Sequence, residues 1–262
     1  AAGAAALARQ YLRQGWYPTG KRVAGNARTY ISAALLKAIL INSADNDITG
    51  YTVPDNNVGW GRVDLDTTLF FAGDPEKTLL VDDTIGVLTG ERFEYRFSVP
   101  AGATSLKITL VWTDYPGNPA VSRQIVNDLD LYAQVGTTFY RGNQYSGGQS
   151  IDNPANRDSI NVEECIRLNA PTAGDWLVRI EGRNVPYGPQ PSALVITYKG
   201  TPLAGVVSVN KPVYRANDFI VDTVRVRIED GNYGVVGVRD TLLAVLRGKY
   251  IETQPETLRC VE

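Results

Sequence analysis

The chain has 262 residues, of which 44% are hydrophobic, and its 26 basic and 28 acidic side chains leave a net charge of −2. That is enough apolar material for one large core or several smaller ones, while the interspersed charges exclude a nucleic-acid face or a polybasic membrane patch. With no histidine anywhere, a Ser-His-Asp triad, a papain-like Cys-His pair and a histidine-based zinc site are excluded, because each needs an imidazole; a Ser-Lys dyad or a carboxylate pair is not.

In chain order, residues 1 to about 72 read as helical. Ala1 to Gln14 is rich in alanine and leucine, with Arg9, Gln10 and Arg13 on a polar side and Gly15 as the stop. A second helix runs from about Ser32, a fair N-cap, to Ser43, with Leu35, Leu36, Ile39 and Leu40 as its apolar stripe. A polar loop follows from Asp45 to Asn57, then a tight Gly59-Trp60-Gly61 turn and a short last piece from Val63 to Phe71. From Asp74 the period changes to two. Strands are expected at Lys77–Val81, Glu91–Val99, Ser105–Thr113, Asp128–Val135, Asn161–Leu168, Asp175–Glu181 and Ala193–Tyr198, punctuated by turns such as Pro100-Ala101-Gly102 and Pro171-Thr172-Ala173-Gly174. Such a series of short strands predicts an all-β sandwich or jelly roll. Gly200-Thr201-Pro202 reads as a linker, and Val206–Val209, Thr223–Ile228 and Asp240–Leu246 as further strands of a unit too short to be a complete sandwich. No apolar run reaches the roughly 18 residues of a membrane span.

Three groups of side chains invite a chemical reading. Asp128 and Asp130 flank Leu129 on a predicted strand, so both carboxylates point one way while Leu129 and Leu131 point inward. With Asp114, and with Asp152, Asn153 and Asn156 to Asp158 nearby, they are candidate calcium ligands, since calcium gathers several oxygens; the alternative is a solvated strand face. Trp112, Trp176, Tyr132 and Tyr198 suggest a sugar-stacking platform, against which buried core aromatics are the favoured reading. Cys165, alternating with Ile166 and Leu168, reads as a partly buried free thiol rather than a nucleophile, because no base accompanies it. Cys260 is far from it in sequence, and no metal-type spacing exists.

Ala2-Gly3-Ala4-Ala5-Ala6-Leu7, then Ser32-Ala33-Ala34-Leu35-Leu36-Lys37-Ala38, then Gly59-Trp60-Gly61-Arg62-Val63-Asp64 resemble, in order and spacing, three segments that follow the catalytic serine in subtilisin-like serine proteases (subtilases, peptidase family S8). Val126-Asn127-Asp128-Leu129-Asp130-Leu131, Asn169-Ala170-Pro171-Thr172-Ala173-Gly174 and Asn184-Val185-Pro186-Tyr187-Gly188-Pro189-Gln190 resemble the C-terminal jelly roll of the large oxidatively stable alkaline subtilases, a domain related in shape to the P-domain of kexin and furin. Lys211-Pro212-Val213-Tyr214, Asp218 and Asp222-Thr223-Val224-Arg225-Val226 look like the opening of a bacterial immunoglobulin-like module.

The resemblance implies a multidomain chain: residues 1–73 as a helical C-terminal remnant of an α/β subtilisin catalytic domain, 74–200 as a jelly-roll sandwich, and 201–262 as a truncated Ig-like β module. It implies a secreted parent endopeptidase acting through an acyl-enzyme, with the triad upstream of Ala1, so that no catalytic residue falls here and the fragment alone is inactive. It adds weight to calcium at Asp114, Asp128 and Asp130. The implied partner is the remaining N-terminal part of the catalytic domain. Self-association through residues 1–72 is a second expectation, because Leu7, Tyr11, Leu35, Leu36, Ile39 and Leu40 would otherwise lose their cover. A binding or adhesion module and a pseudoprotease parent are the alternatives.

Overall fold

A computed structural model describes residues 1–200 and, beyond them, the backbone of four short strands. Helix α1 (Ala2–Arg13) forms from a run of alanine and leucine with no β-branched residue. It stops at Gly15, whose φ of +74° and close approach to the Val23 carbonyl leave no room for a Cβ. Helix α2 (Ala33–Asn42) starts where Ser32 Oγ accepts the Leu35 amide at 2.9 Å, as an N-cap should. The rest of this region is loop, two single 3₁₀ turns and the short pair β1 (Ala44–Asp45) and β2 (Arg62–Val63).

The strands follow as β3 (Glu76–Val87), β4 (Arg92–Val99), β5 (Ser105–Trp112), β6 (Asp128–Val135), β7 (Thr138–Arg141), β8 (Tyr145–Ser146), β9 (Gln149–Ser150), β10 (Glu163–Asn169), β11 (Gly174–Asn184) and β12 (Gln190–Lys199). Beyond residue 200 lie β13 (Val206–Val209), β14 (Val226–Glu229), β15 (Thr241–Val245) and β16 (Thr257–Val261). One sheet has the order β10-β5-β12-β3 and the other β14-β13-β4-β11-β6-β7, with antiparallel pairing throughout. The pair β15-β16 stands as its own two-stranded sheet.

Alternation builds the core between the two sheets. Phe93, Tyr95, Phe97 and Val99 of β4 face inward with Leu129, Leu131 and Ala133 of β6 and Trp176, Val178 and Ile180 of β11. Leu106, Ile108, Leu110 and Trp112 of β5 and Leu194, Ile196 and Tyr198 of β12 meet them from the other side. Phe97 stacks on Tyr198 across the gap at 6.2 Å between ring centroids. Trp112 and Trp176 are fully buried, and their indole N–H groups donate to the Asn127 and Thr172 carbonyls, so these rings are core and not a platform.

The expected fold class, a helical catalytic remnant followed by a jelly roll and an Ig-like module, is overturned. The described chain is mostly antiparallel sheet with two α-helices, and those helices cover the sheet instead of standing apart from it. The reason is in the strands themselves. β12 is apolar on both faces from Ala193 to Ile196, and Leu80, Val111, Cys165, Ala193 and Val195 form a second apolar surface on the outside of the four-stranded sheet. Leu35, Ala38 and Ile39 of α2 bury against it, and Tyr11 and Leu12 of α1 pack beside α2 in the same cluster, which is the cover the sequence left unassigned. Each such Leu or Ile contributes about 1.5–3 kcal/mol on burial. Only Leu7 of the expected bare stripe is exposed, with Leu36 and Leu40 half-buried. The outer face of the six-stranded sheet is polar instead, carrying Arg92, Glu94, Arg96 and Arg179. The segments read as Ig-like, Lys211 to Tyr214, Asp218 and Asp222 to Arg225, lie outside the described residues.

Candidate functional site: a buried carboxylate and arginine cluster

The pleat of β6 sends Leu129 and Leu131 into the core and Asp128 and Asp130 to the opposite face, as the spacing predicts. Both aspartates are buried, because two loop arginines close over them. Arg123 Nη2 donates to Asp128 Oδ2 at 2.9 Å while its Nε donates to the Ser159 carbonyl, and Arg157 Nη1 donates to Asp130 Oδ2 at 2.6 Å. Asp114 has a different task. Its two oxygens accept the backbone amides of Tyr115, Val126 and Asn127, pinning the loop that leads into β6. Asp158 accepts from the Asn143 and Asn161 side chains and the Ile160 and Asn161 amides.

The three predicted calcium ligands are therefore not one converging set, and among the described residues no three Asp, Glu, Cys or His side chains gather as a metal group. What remains is two buried carboxylate oxygens without partners, Asp128 Oδ1 and Asp130 Oδ1.

Glu164 is the residue that sequence reasoning missed. It shares the parity of Ile166 and Leu168 on β10, so a carboxylate occupies a core-facing position of an alternating strand, and that was the available signal. It reaches the other sheet, where Oε2 accepts the Leu131 amide at 2.7 Å. Gly142, just past β7, makes room for it: a Cβ there would lie 2.2 Å from Glu164 Oε2. Its second oxygen, Oε1, is buried and unpartnered, as is Arg141 Nε.

Glu164, Asp130, Asp158 and Glu181 line a cavity of about 220 Å³ together with Arg141, Arg157 and Arg179. Burial, reinforced by Asp130, Asp158 and Asp128, pushes the Glu164 carboxyl well above its ordinary range. Burial also raises Asp128, with Asp130 adding repulsion, and raises Asp130 despite Arg157 beside it. Burial also works to raise Asp158, but its four hydrogen bonds outweigh that and hold it below the ordinary value. No serine, cysteine, threonine or lysine lines the cavity. The arrangement can therefore hold protons and small polar guests, and it presents no nucleophile for acyl transfer. Cys165 is equally inert: it is buried on the other face of β10, 3.6 Å from Thr109 Oγ1, and burial pushes its thiol up to about 12.

No family model matches the chain. In sequence it is similar to two slime-mould proteins from Dictyostelium discoideum. It is 31% identical over 228 residues to serine protease/ABC transporter B family protein tagA, covering 83% of this chain. It is 28% identical over 240 residues to the tagD protein of the same description, covering 72% of it. In both cases the match spans only 13% of the relative's length. Among solved structures, the catalytic unit of a thermostable GH87 alpha-1,3-glucanase from Streptomyces thermodiastaticus aligns with 50% of this chain and 27% of its own. That alignment has 14% identity and a TM-score of 0.22, which carries no argument about fold or function. The chain is thus related in sequence to proteins whose names include serine protease. No helix among the described residues is long and apolar enough to cross a membrane.

Proposed function

We propose that this chain is a non-catalytic, scaffolding part of a secreted subtilisin-like serine endopeptidase, which would hydrolyse peptide bonds through residues that this chain does not contain. The observation that carries the reading is the 31% identity over 228 residues to a protein named as a serine protease, taken with a sequence that holds no histidine to act as general base. The three Gly/Ala-rich and helical segments that resemble subtilases support the family. The exposed side of α1, with Ala2, Gly3, Ala6 and Leu7, supports close docking of a further backbone, either the rest of such a catalytic domain or a second copy of this chain.

The test is direct. This chain is expected neither to turn over a chromogenic peptide nor to react with a fluorophosphonate, whereas a longer protein containing it does both. Labelling of this chain itself would overturn the reading.

The calcium reading narrows to Asp128 and Asp130, whose unpartnered Oδ1 atoms support it, and leaves Asp114 to its loop. Calcium bound only to the folded state raises the melting temperature by mass action. Melting curves in calcium and in chelator are expected to separate for the native chain and to merge for Asp128→Asn. Coincident curves for the native chain would remove calcium from the account.

A further inference from the structure

A second concavity adjoins the buried cluster. It is an open groove of about 580 Å³, between the 54–60 loop on one side and residues 143–145 and 157–161 on the other. Arg157 and Asp158 belong to both the groove and the cavity. The volume falls in the range of ligand-holding clefts, about 300–1,000 Å³.

The walls are held before any ligand arrives. Asp158, buried at the back, ties the 157–161 loop to Asn143, and Asn143 in turn donates to the Glu163 carbonyl and accepts the Cys165 amide. Trp60 is set by an edge-to-face contact with Tyr145, at 6.3 Å and 67°, and by Arg167 donating to its carbonyl. Tyr145 is itself anchored by its hydroxyl to the Cys165 carbonyl.

What faces the groove is chemically uniform. Trp60 lines the groove, is half-buried with part of it packed against the helix-side core, and its Nε1–H has no hydrogen-bond partner among the described residues. Gln144, Asn56 and Ser159 also line the groove, and their side chains have no hydrogen-bond partner among the described residues. Of the two lining carboxylates, Asp158 is taken by its four hydrogen bonds, whereas Asp55 accepts the Asn57 amide and side chain and the Val58 amide and has no cation beside it among the described residues. The only cation, Arg157, is committed to Asp130. The open groups are thus neutral donors and acceptors and the Asp55 carboxylate, grouped round an aromatic ring. That set does not match an anionic ligand, which calls for an unpaired cation, and beside the aromatic rings only Pro54 and Ile160 offer apolar anchorage for peptide side chains. It does match a sugar: the C–H face of a pyranose covers an indole, and vicinal hydroxyls pair with planar amides that both donate and accept.

We propose that this groove is a carbohydrate-binding site that takes a short stretch of a neutral glycan, with one pyranose ring against Trp60 and its hydroxyls on Gln144, Asn56 and Asp55. The site is independent of the protease reading and stands or falls separately from it.

The test is a titration of the full chain, followed by the indole N–H resonances, with hexasaccharides of α- and β-linked glucose, mannose and N-acetylglucosamine. A uronate hexamer and a mixed peptide digest serve as comparisons. At least one neutral oligosaccharide is expected to move the Trp60 indole signal. Its affinity is expected to fall about tenfold in Trp60→Ala, from loss of the ring contact, and a few-fold in Gln144→Ala and in Asn56→Ala, from loss of one hydrogen bond each. Those two side chains make no hydrogen bond among the described residues, so they decide the matter if Trp60→Ala does not fold. The proposal is overturned if no neutral oligosaccharide shifts the signal at millimolar concentration. It is overturned equally if binding is unchanged in the Gln144 and Asn56 variants, or if only the uronate or the peptides bind.

Discussion

Glu164 places a carboxylate where alternation calls for a hydrocarbon, and its energetics follow from that. Its folded-state value lies well above the ordinary 4.5, chiefly because burial disfavours the charged form. The folded chain therefore holds this proton over a pH range in which the unfolded chain has lost it. The resulting stabilisation is complete below about pH 4.5 and is lost as pH rises through the folded value, at up to about 1.4 kcal/mol per pH unit for one proton. Asp128 and Asp130, raised from 3.8, act with the same sign, and Asp158, lowered from 3.8, acts with the opposite sign in more acid solution. In Glu164→Gln the amide oxygen still accepts the Leu131 N–H while the titration disappears. The variant is expected to show a shallower decline of melting temperature between about pH 5 and pH 8 than the native chain. Parallel pH profiles from thermal melts of both proteins would show that Glu164 is ionised at little cost.

Helix α2 is attached to the four-stranded sheet by one polar residue as well as by its apolar face. Asn42, at 1% exposure, donates from Nδ2 to the Lys107 and Val195 carbonyls and to Thr109 Oγ1, and its Oδ1 accepts the hydroxyls of Thr68 and Thr197. Helix, sheet and the turn after β2 are thus tied at one point. Removing one buried member leaves the others unsatisfied, so Asn42→Ala is expected to cost about 2–3 kcal/mol. Urea titrations of the two proteins measure this as a shift in midpoint. Asn42→Ser, which puts a hydroxyl in place of the amide, should recover part of it. Lys107 beside this junction donates to the Ala44 carbonyl, and burial, with Arg167 nearby, brings its amine down to about 8. Its charge is thus partly withdrawn in mildly alkaline solution.

For the molecule as a whole, the two apolar layers share the four-stranded sheet. β5 and β12 turn Leu110 and Leu194 to the inner core, and Val111, Ala193 and Val195 to the helices. Loss of either layer exposes apolar surface on the sheet that serves both, so the helices and the strands are expected to unfold in one transition. Far-ultraviolet dichroism reports the helices and strands, and fluorescence of the buried Trp112 and Trp176 reports the inner core. Both should give one midpoint in urea. A helical signal lost first would show α1 and α2 to be a separate unit resting on the sheet.

The sequence by itself determined the local elements and an exclusion. Ser32 capped α2, Gly15 closed α1, and the period-two runs located the principal strands, though β3 runs six residues past the expected Val81, because caps and side-chain alternation act over one or two turns of chain. The short strands β7, β8 and β9 escaped it, since two to four residues carry no readable period. The lack of histidine ruled out a Ser-His-Asp triad from composition alone. Only the tertiary structure decided what covers what. The pairing of Asp130 with Arg157, of Glu164 with the Leu131 amide and of α2 with β5 and β12 spans 27, 33 and up to 155 positions. Such partners are chosen by strand order and by the demand that a sheet apolar on both faces be covered on both. That demand was written in the unbroken Ala193–Ile196 run of β12, but which segment met it depended on the chain's path through space.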